Sequence, residues 1–147
     1  MWHETEIRVR YAETDKMGIV HHSNYLIWFE IGRSEFCRSR GFSYKDMEDS
    51  DNALLVVAEG YCRYKSPSYY EDVLFIRTQV AKIRSRSIAF VYEIFRPVDN
   101  TVVAEGETLH IVVNRDRKIC SLPDRYRAML ISGSDRREAF PPDEPPR

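Results

Sequence analysis

The chain has 147 residues, 43% of them hydrophobic and 31% charged, with a formal net charge of −1. That length suits one domain, and the composition is that of a globular chain with a core. A charge so close to zero exerts no bulk pull toward nucleic acid or an anionic membrane, so neither is expected as a partner and any anion site must be a local basic patch.

The N-terminal stretch MWHETEIRVR has no apolar h-region, and no run approaches the ~20 apolar residues of a membrane helix. Cys37, Cys62 and Cys120 are odd in number, widely spaced and without a CxxC pair. That argues against a disulfide framework or a zinc site, and for buried, inert thiols in a reducing, cytoplasmic compartment. No spacing of His, Cys and carboxylates supports a metal, and no cofactor is expected.

In chain order, Ile7, Val9 and Tyr11 alternate with Glu6, Arg8 and Arg10, which predicts a half-buried strand over residues 3–11. The period then changes. Tyr25, Trp28, Phe29, Gly32 and Phe36 fall on one helical stripe, predicting a helix over 24–39. Ser23 or Asn24 is placed to accept from the free N–H groups of its first turn. Arg38 and Arg40 suit its last turn, and Gly41 suits the position just beyond it. Gly32 permits close backbone approach. From Asn52 onward the pattern is extended: ALLVVAEGYCRYK, VLFIRTQVAKI, SIAFVYEIF and TVVAEGETLHIVVN read as four strands. The third is apolar on nearly both faces and belongs in the middle of a sheet. A short helix is expected after Pro123. The domain is assigned to residues 1–132, and the proline-rich tail at 133–147 reads as disordered.

One strand, one long aromatic helix and four strands predict an α+β fold in which an antiparallel sheet wraps the helix. A single helix covers only one face of such a sheet. Leu109, Ile111 and Val113 carry apolar side chains to the other face, which predicts a second copy as its cover.

The loop between the first strand and the helix, AETDKMGIVHHSNY, carries the candidate chemistry. A helix N-terminus offers unpaired N–H groups and partial positive charge, able to stabilise a developing oxyanion. Asp15 lies just upstream, where a carboxylate can act as general base or nucleophile. His22 lies beside the helix start, within reach of a carbonyl oxygen. Taken alone, the pattern is a weak signal, and such a loop is far more often an ordinary turn ahead of a helix.

YAETDKMGIVHHSNYLIWFEIGRSEF resembles the signature of hotdog-fold acyl-CoA thioesterases, in the 4-hydroxybenzoyl-CoA thioesterase branch, through Tyr11, Thr14, Asp15, Gly18, Val20, His22, Asn24 and Tyr25. EGYCRYKSPSYYEDVLFIRT is similar to a second family pattern through Glu59, Tyr64, Pro67 and Asp72, and IRSRSIAF resembles a basic turn of the family. The resemblance runs over residues 4 to about 131. It implies the hotdog fold, with a sheet of five to six strands around a central helix. It also implies a homodimer or homotetramer with sites at the dimer interface, and hydrolysis of an acyl-CoA thioester to a carboxylic acid and free CoA.

The family's catalytic carboxylate carries over to Asp15, its frequent histidine to His22 and its turn glycine to Gly18. Asn24 and Tyr25 complete the substrate and oxyanion segment. Lys16 and Met17 replace residues that are often small or Pro in the family, and His21 a position often aromatic. Arg84, Arg86 and Ser87 are candidates for the CoA phosphates, since guanidinium forks suit phosphate oxygens. Lys65 and Arg63 are secondary candidates. Glu59, a carboxylate in an apolar strand, is read as an interior, supporting residue in need of a partner. His110 is read as a core or interface histidine and His3 as exposed. The alternatives are hydrolysis of acyl groups from a carrier protein, and an acyl-CoA-binding hotdog protein without turnover.

Overall fold

Alternating apolar and polar side chains build most of the molecule. In the computed structural model, which describes residues 2–131, the elements run β1 (His3–Arg8), a 3-10 turn (Tyr11–Glu13), α1 (Ser23–Ser39), α2 (Tyr44–Asp51), β2 (Leu54–Tyr64), β3 (Val73–Ile83), β4 (Ser87–Arg96), β5 (Thr101–Val113) and α3 (Asp124–Ile131). The strands form one antiparallel sheet in the order β1-β3-β4-β5-β2. The doubly apolar strand β4 is central, as expected: Ile88, Phe90, Tyr92 and Ile94 are buried on one face, Ala89 and Val91 on the other.

The aromatic stripe of α1 packs into the concave face of that sheet. Phe29 stacks on Tyr92 with ring centroids 4.3 Å apart, and Phe36 meets Phe90 edge-on at 6.0 Å. Trp28, Phe29 and Phe36 are almost wholly buried, each worth roughly 1.5–3 kcal/mol relative to exposure. Gly32 lets the helix sit close, since a Cβ there would strike the Thr78 hydroxyl and the Ile76 side chain. This is the hotdog fold. Leu109, Ile111 and Val113 lie on the opposite, convex face and are half-buried.

Three local expectations need correction. β1 stops at Arg8 instead of residue 11, because the Arg10 N–H donates to the Glu13 carboxylate at 2.7 Å and no longer faces a strand. Helix α2 was not expected. Ser43 caps it by accepting from the Asp46 N–H at 3.1 Å, Met47 anchors it in the core, and Asn52 closes it in the left-handed conformation. Neither Ser23 nor Asn24 caps α1: the N-cap position falls to His22, whose side chain makes no capping bond. Gly41 does follow the helix end with φ +102°. The tail assigned to 133–147 lies outside the described residues.

Candidate active site

The Asp15 loop is a tight turn shaped by its own backbone. The Gly18 N–H donates to the Asp15 carbonyl at 2.9 Å, and the Asp15 N–H donates to the Ile19 carbonyl at 2.8 Å. Gly18 takes φ +84°, which a side chain would oppose. The Asp15 carboxylate accepts the Met17 N–H on Oδ1 at 2.8 Å, and Oδ2 has no partner among the described residues. Asp15 therefore caps the turn while keeping one oxygen available.

The start of α1 is more occupied than the sequence suggests. The Asn24 N–H donates to the His21 carbonyl at 3.0 Å and the Tyr25 N–H to the His22 carbonyl at 3.3 Å. The Ser23 N–H donates to the His21 imidazole at 3.3 Å. These first-turn groups were expected to be free. The longer bonds are weak, and the His22 N–H donates to no described residue. The Asn24 side-chain amide donates to the carbonyls of Glu13 at 3.0 Å and His21 at 3.2 Å.

A cavity of about 360 Å³ opens between this loop and the end of β2. Asp15, Met17 and His22 from the loop, Tyr25 from α1, and Tyr64 and Lys65 at the end of β2 line it. The Tyr64 hydroxyl donates to the His22 carbonyl at 3.2 Å. Burial first, and the neighbouring Cys62 second, push the Tyr64 phenol up to about 12, so it acts as a donor. The buried Tyr25 hydroxyl donates to Ser68 Oγ at 3.2 Å. Lys65 Nζ lies 3.6 Å from Glu105.

Arg84, Arg86 and Ser87 lie elsewhere in the single chain. Tyr64 pairs with Ala104, whereas Leu54 pairs with Val113 and Ser87 with Ile111. The basic hairpin therefore stands toward the opposite end of the sheet: Ile111 lies seven residues beyond Ala104 on β5, roughly 23 Å at the ~3.3 Å rise of a strand.

Glu59 is exposed on the convex face rather than interior. Strict alternation from Leu55 and Val57 would point it at the helix, but a bulge between Val57 and Glu59 reverses the faces. The same bulge brings Tyr64 to the cavity side. His110 is fully buried, as read, and His3 is half-buried against Phe36. Cys37 is buried, and Cys62 and Cys120 are half-buried; all three are free thiols. Among the described residues no cluster of His, Cys, Asp and Glu could hold a metal, and no described helix is long and apolar enough to cross a membrane.

Sequence reasoning gave no role to Glu13 or Ser68, and matched Tyr64 without placing it. Tyr64 was signalled by its spacing to Pro67. Glu13 carried no signal beyond adjacency to the Asp15 motif.

The family model described as Thioesterase-like superfamily matches residues 9–143, and the chain belongs to that family. It is a hotdog-fold thioesterase, a hydrolase. It is 31% identical over 108 residues to the acyl-CoA thioester hydrolase YbgC of Escherichia coli O157:H7, covering 74% of this chain and 79% of that one. A crystal structure of a hypothetical protein from Aquifex aeolicus superposes with TM-score 0.82 at 37% identity, over 87% of this chain and 98% of that one. The DHNA-CoA thioesterase of Staphylococcus aureus superposes with TM-score 0.79 at 36% identity, over 85% and 83% of the two chains.

Proposed function

We propose that this thioesterase hydrolyses acyl-CoA in the cavity between the Asp15 loop and β2. The observation that carries the reading is that Asp15 and His22 line one cavity with apolar walls, at the N-terminal end of the long helix. The thioester carbonyl sits against the start of α1, its developing negative charge met by the His22 N–H and by the helix dipole. Asp15 takes a proton from the attacking water, or attacks the carbonyl itself to give a mixed anhydride that water then opens. In both routes the C–S bond breaks and CoA leaves as the thiol; in the first the oxygen of water ends in the acid, and in the second it ends in the acid or in Asp15, according to which carbonyl of the anhydride the water attacks. The His22 side chain lies beside the carbonyl as a hydrogen-bond donor.

The β2 edge supports a homodimer. Val56 and Val57 are exposed on it, and Leu26 and Ile27 are exposed on α1; an unpaired edge with apolar side chains invites a further strand. Antiparallel pairing of two β2 strands would carry the partner's basic hairpin toward this chain's cavity, where Arg84 and Arg86 would meet the CoA phosphates. The half-buried convex face offers a second interface for a homotetramer. Free thiols throughout fit a reducing, cytoplasmic setting.

A thiol-reactive dye assay over short, long and aromatic acyl-CoAs, with an acyl-carrier protein alongside, tests the reading. Release of CoA from at least one class supports it. Release from the carrier alone, or from none, overturns it. A single turnover in labelled water separates the two routes, since label in Asp15 itself requires the anhydride.

A further inference from the structure

We infer that Glu13 is the positioning residue of the catalytic loop: a buried carboxylate that fixes Asp15 and His22 relative to α1 without touching substrate. This rests on Asp15 being the reacting carboxylate. Glu13 is only 5% exposed, and a carboxylate at that depth must be compensated. Three donors do so. The Arg10 N–H donates to Oε1 at 2.7 Å, the Arg10 guanidinium to Oε2 at 3.2 Å, and the Trp28 indole N–H to Oε2 at 3.1 Å. Burial by itself would raise its pKa, but these bonds outweigh it and hold the carboxyl below its ordinary value.

The main chain of the same residue makes a second set of bonds. Its carbonyl accepts the His21 N–H at 2.8 Å and the Asn24 side-chain amide at 3.0 Å. One residue therefore joins the exit of β1, the second turn of α1, and the return of the loop into the helix. Asp15 follows it by two residues, and His22 is the neighbour of His21. The bonds inside the Asp15 turn shape that turn but do not orient it against the helix. Within α1, His21 and His22 bond only to the first turn that follows them, whereas upstream of Asp15 the hydrogen bonds that tie the loop to α1 run through Glu13, to Trp28 and to Asn24.

A packing role would be filled as well by an apolar side chain, with no charge to desolvate. Charge-assisted bonds to three fixed donors add directional precision instead. Precision is what a carboxylate aligned on a carbonyl requires, since a shift of about 1 Å can cost 10²-fold in rate. Glu13 is absent from the cavity lining, so its effect passes through the loop.

The test uses Glu13→Gln, which keeps the side chain's shape and loses its charge, and Trp28→Phe, which keeps the ring and loses the N–H. Kinetics on an acyl-CoA are measured well below each variant's unfolding midpoint, with Asp15→Asn in parallel. Both variants should fold and lose roughly 10- to 100-fold in kcat, with KM changed less than about 3-fold. The double variant should be little worse than the weaker single, because both act through one bond. Wild-type kcat in both, with only a lowered midpoint, would overturn the proposal by making Glu13 a staple of the fold. Failure of both to fold would overturn it in the same way. Retained hydrolysis by Asp15→Asn would instead overturn the assignment of Asp15, whatever the other variants do.

Discussion

The Tyr64 hydroxyl donates to the main-chain carbonyl of His22 at 3.2 Å, and the two rings meet edge to face at 6.2 Å. This bond joins the end of β2 to the start of α1 between two residues that line the cavity. Tyr64→Phe keeps the ring and removes the donor. Because the bond is exposed, stability should fall by less than about 1 kcal/mol, while kcat/KM for acyl-CoA should fall about 3- to 10-fold through loosened positioning of His22. Steady-state kinetics check it. Wild-type kcat/KM in Tyr64→Leu, which also loses the ring contacts, would show that this wall does not hold His22.

The distance between the basic hairpin and the cavity makes the CoA assignment a statement about two subunits. Arg84→Ala/Arg86→Ala should raise KM for acyl-CoA with little change in kcat. Mixing that variant with Asp15→Asn and allowing subunits to exchange should restore low-KM activity, because a mixed dimer contains one site with Asp15 from one chain and both arginines from the other. An unchanged KM in the arginine variant would remove the hairpin from the CoA site. A raised KM with no recovery on mixing would place its action within one chain.

Two glycines on the helix-facing side of the sheet should respond differently to a methyl group. At Gly106 a Cβ would strike the Phe29 ring and the Tyr61 carbonyl, and the latter cannot yield without breaking the β2–β5 ladder. At Gly60 it would make an ordinary 3.6 Å contact with Leu26. Gly106→Ala should cost about 1–3 kcal/mol, and Gly60→Ala should be close to neutral. Denaturant unfolding of the two variants decides it.

His110 makes stability depend on pH. It is fully buried, its Nε2 lies 2.8 Å from Thr108 Oγ1, and Thr108 is bonded in turn to Tyr92. Burial, and then the Arg33 guanidinium, lower its pKa from 6.5 to about 3. As pH falls below 6.5 the unfolded chain takes up a proton that the folded chain refuses, so stability drops. The slope from this one group approaches about 1.4 kcal/mol per pH unit and persists until the pH nears the folded value. Denaturation between pH 7 and 5 should show that fall, and His110→Gln should flatten it. An unaltered slope in His110→Gln would assign the fall to other groups.

Strand and helix patterns were the legible part of this chain. The period-2 runs of β3, β4 and β5 and the aromatic stripe of α1 gave element types and the central place of β4, because one buried face imposes one period. Helix α2 was missed because its single buried anchor, Met47, sits among charged residues and leaves no stripe. Glu59 was placed inside because alternation cannot reveal a bulge, which reverses every face beyond it. Asp15 and His22 were legible through the motif they belong to, and they do line one cavity. Glu13 was not, since its partner Trp28 is 15 residues away and nothing local marks an acid for burial.

The central claim is that the Asp15 carboxylate carries thioester hydrolysis, and the most direct measurement compares wild type with Asp15→Asn on the acyl-CoA that the dye assay finds best. Asp15→Asn keeps the size of the side chain and an oxygen able to accept the Met17 N–H, so the loop should fold unchanged. The account predicts a fall in kcat of about 10³-fold or more, with KM little altered and the unfolding midpoint preserved. Hydrolysis by the folded variant within a few-fold of wild type would contradict it.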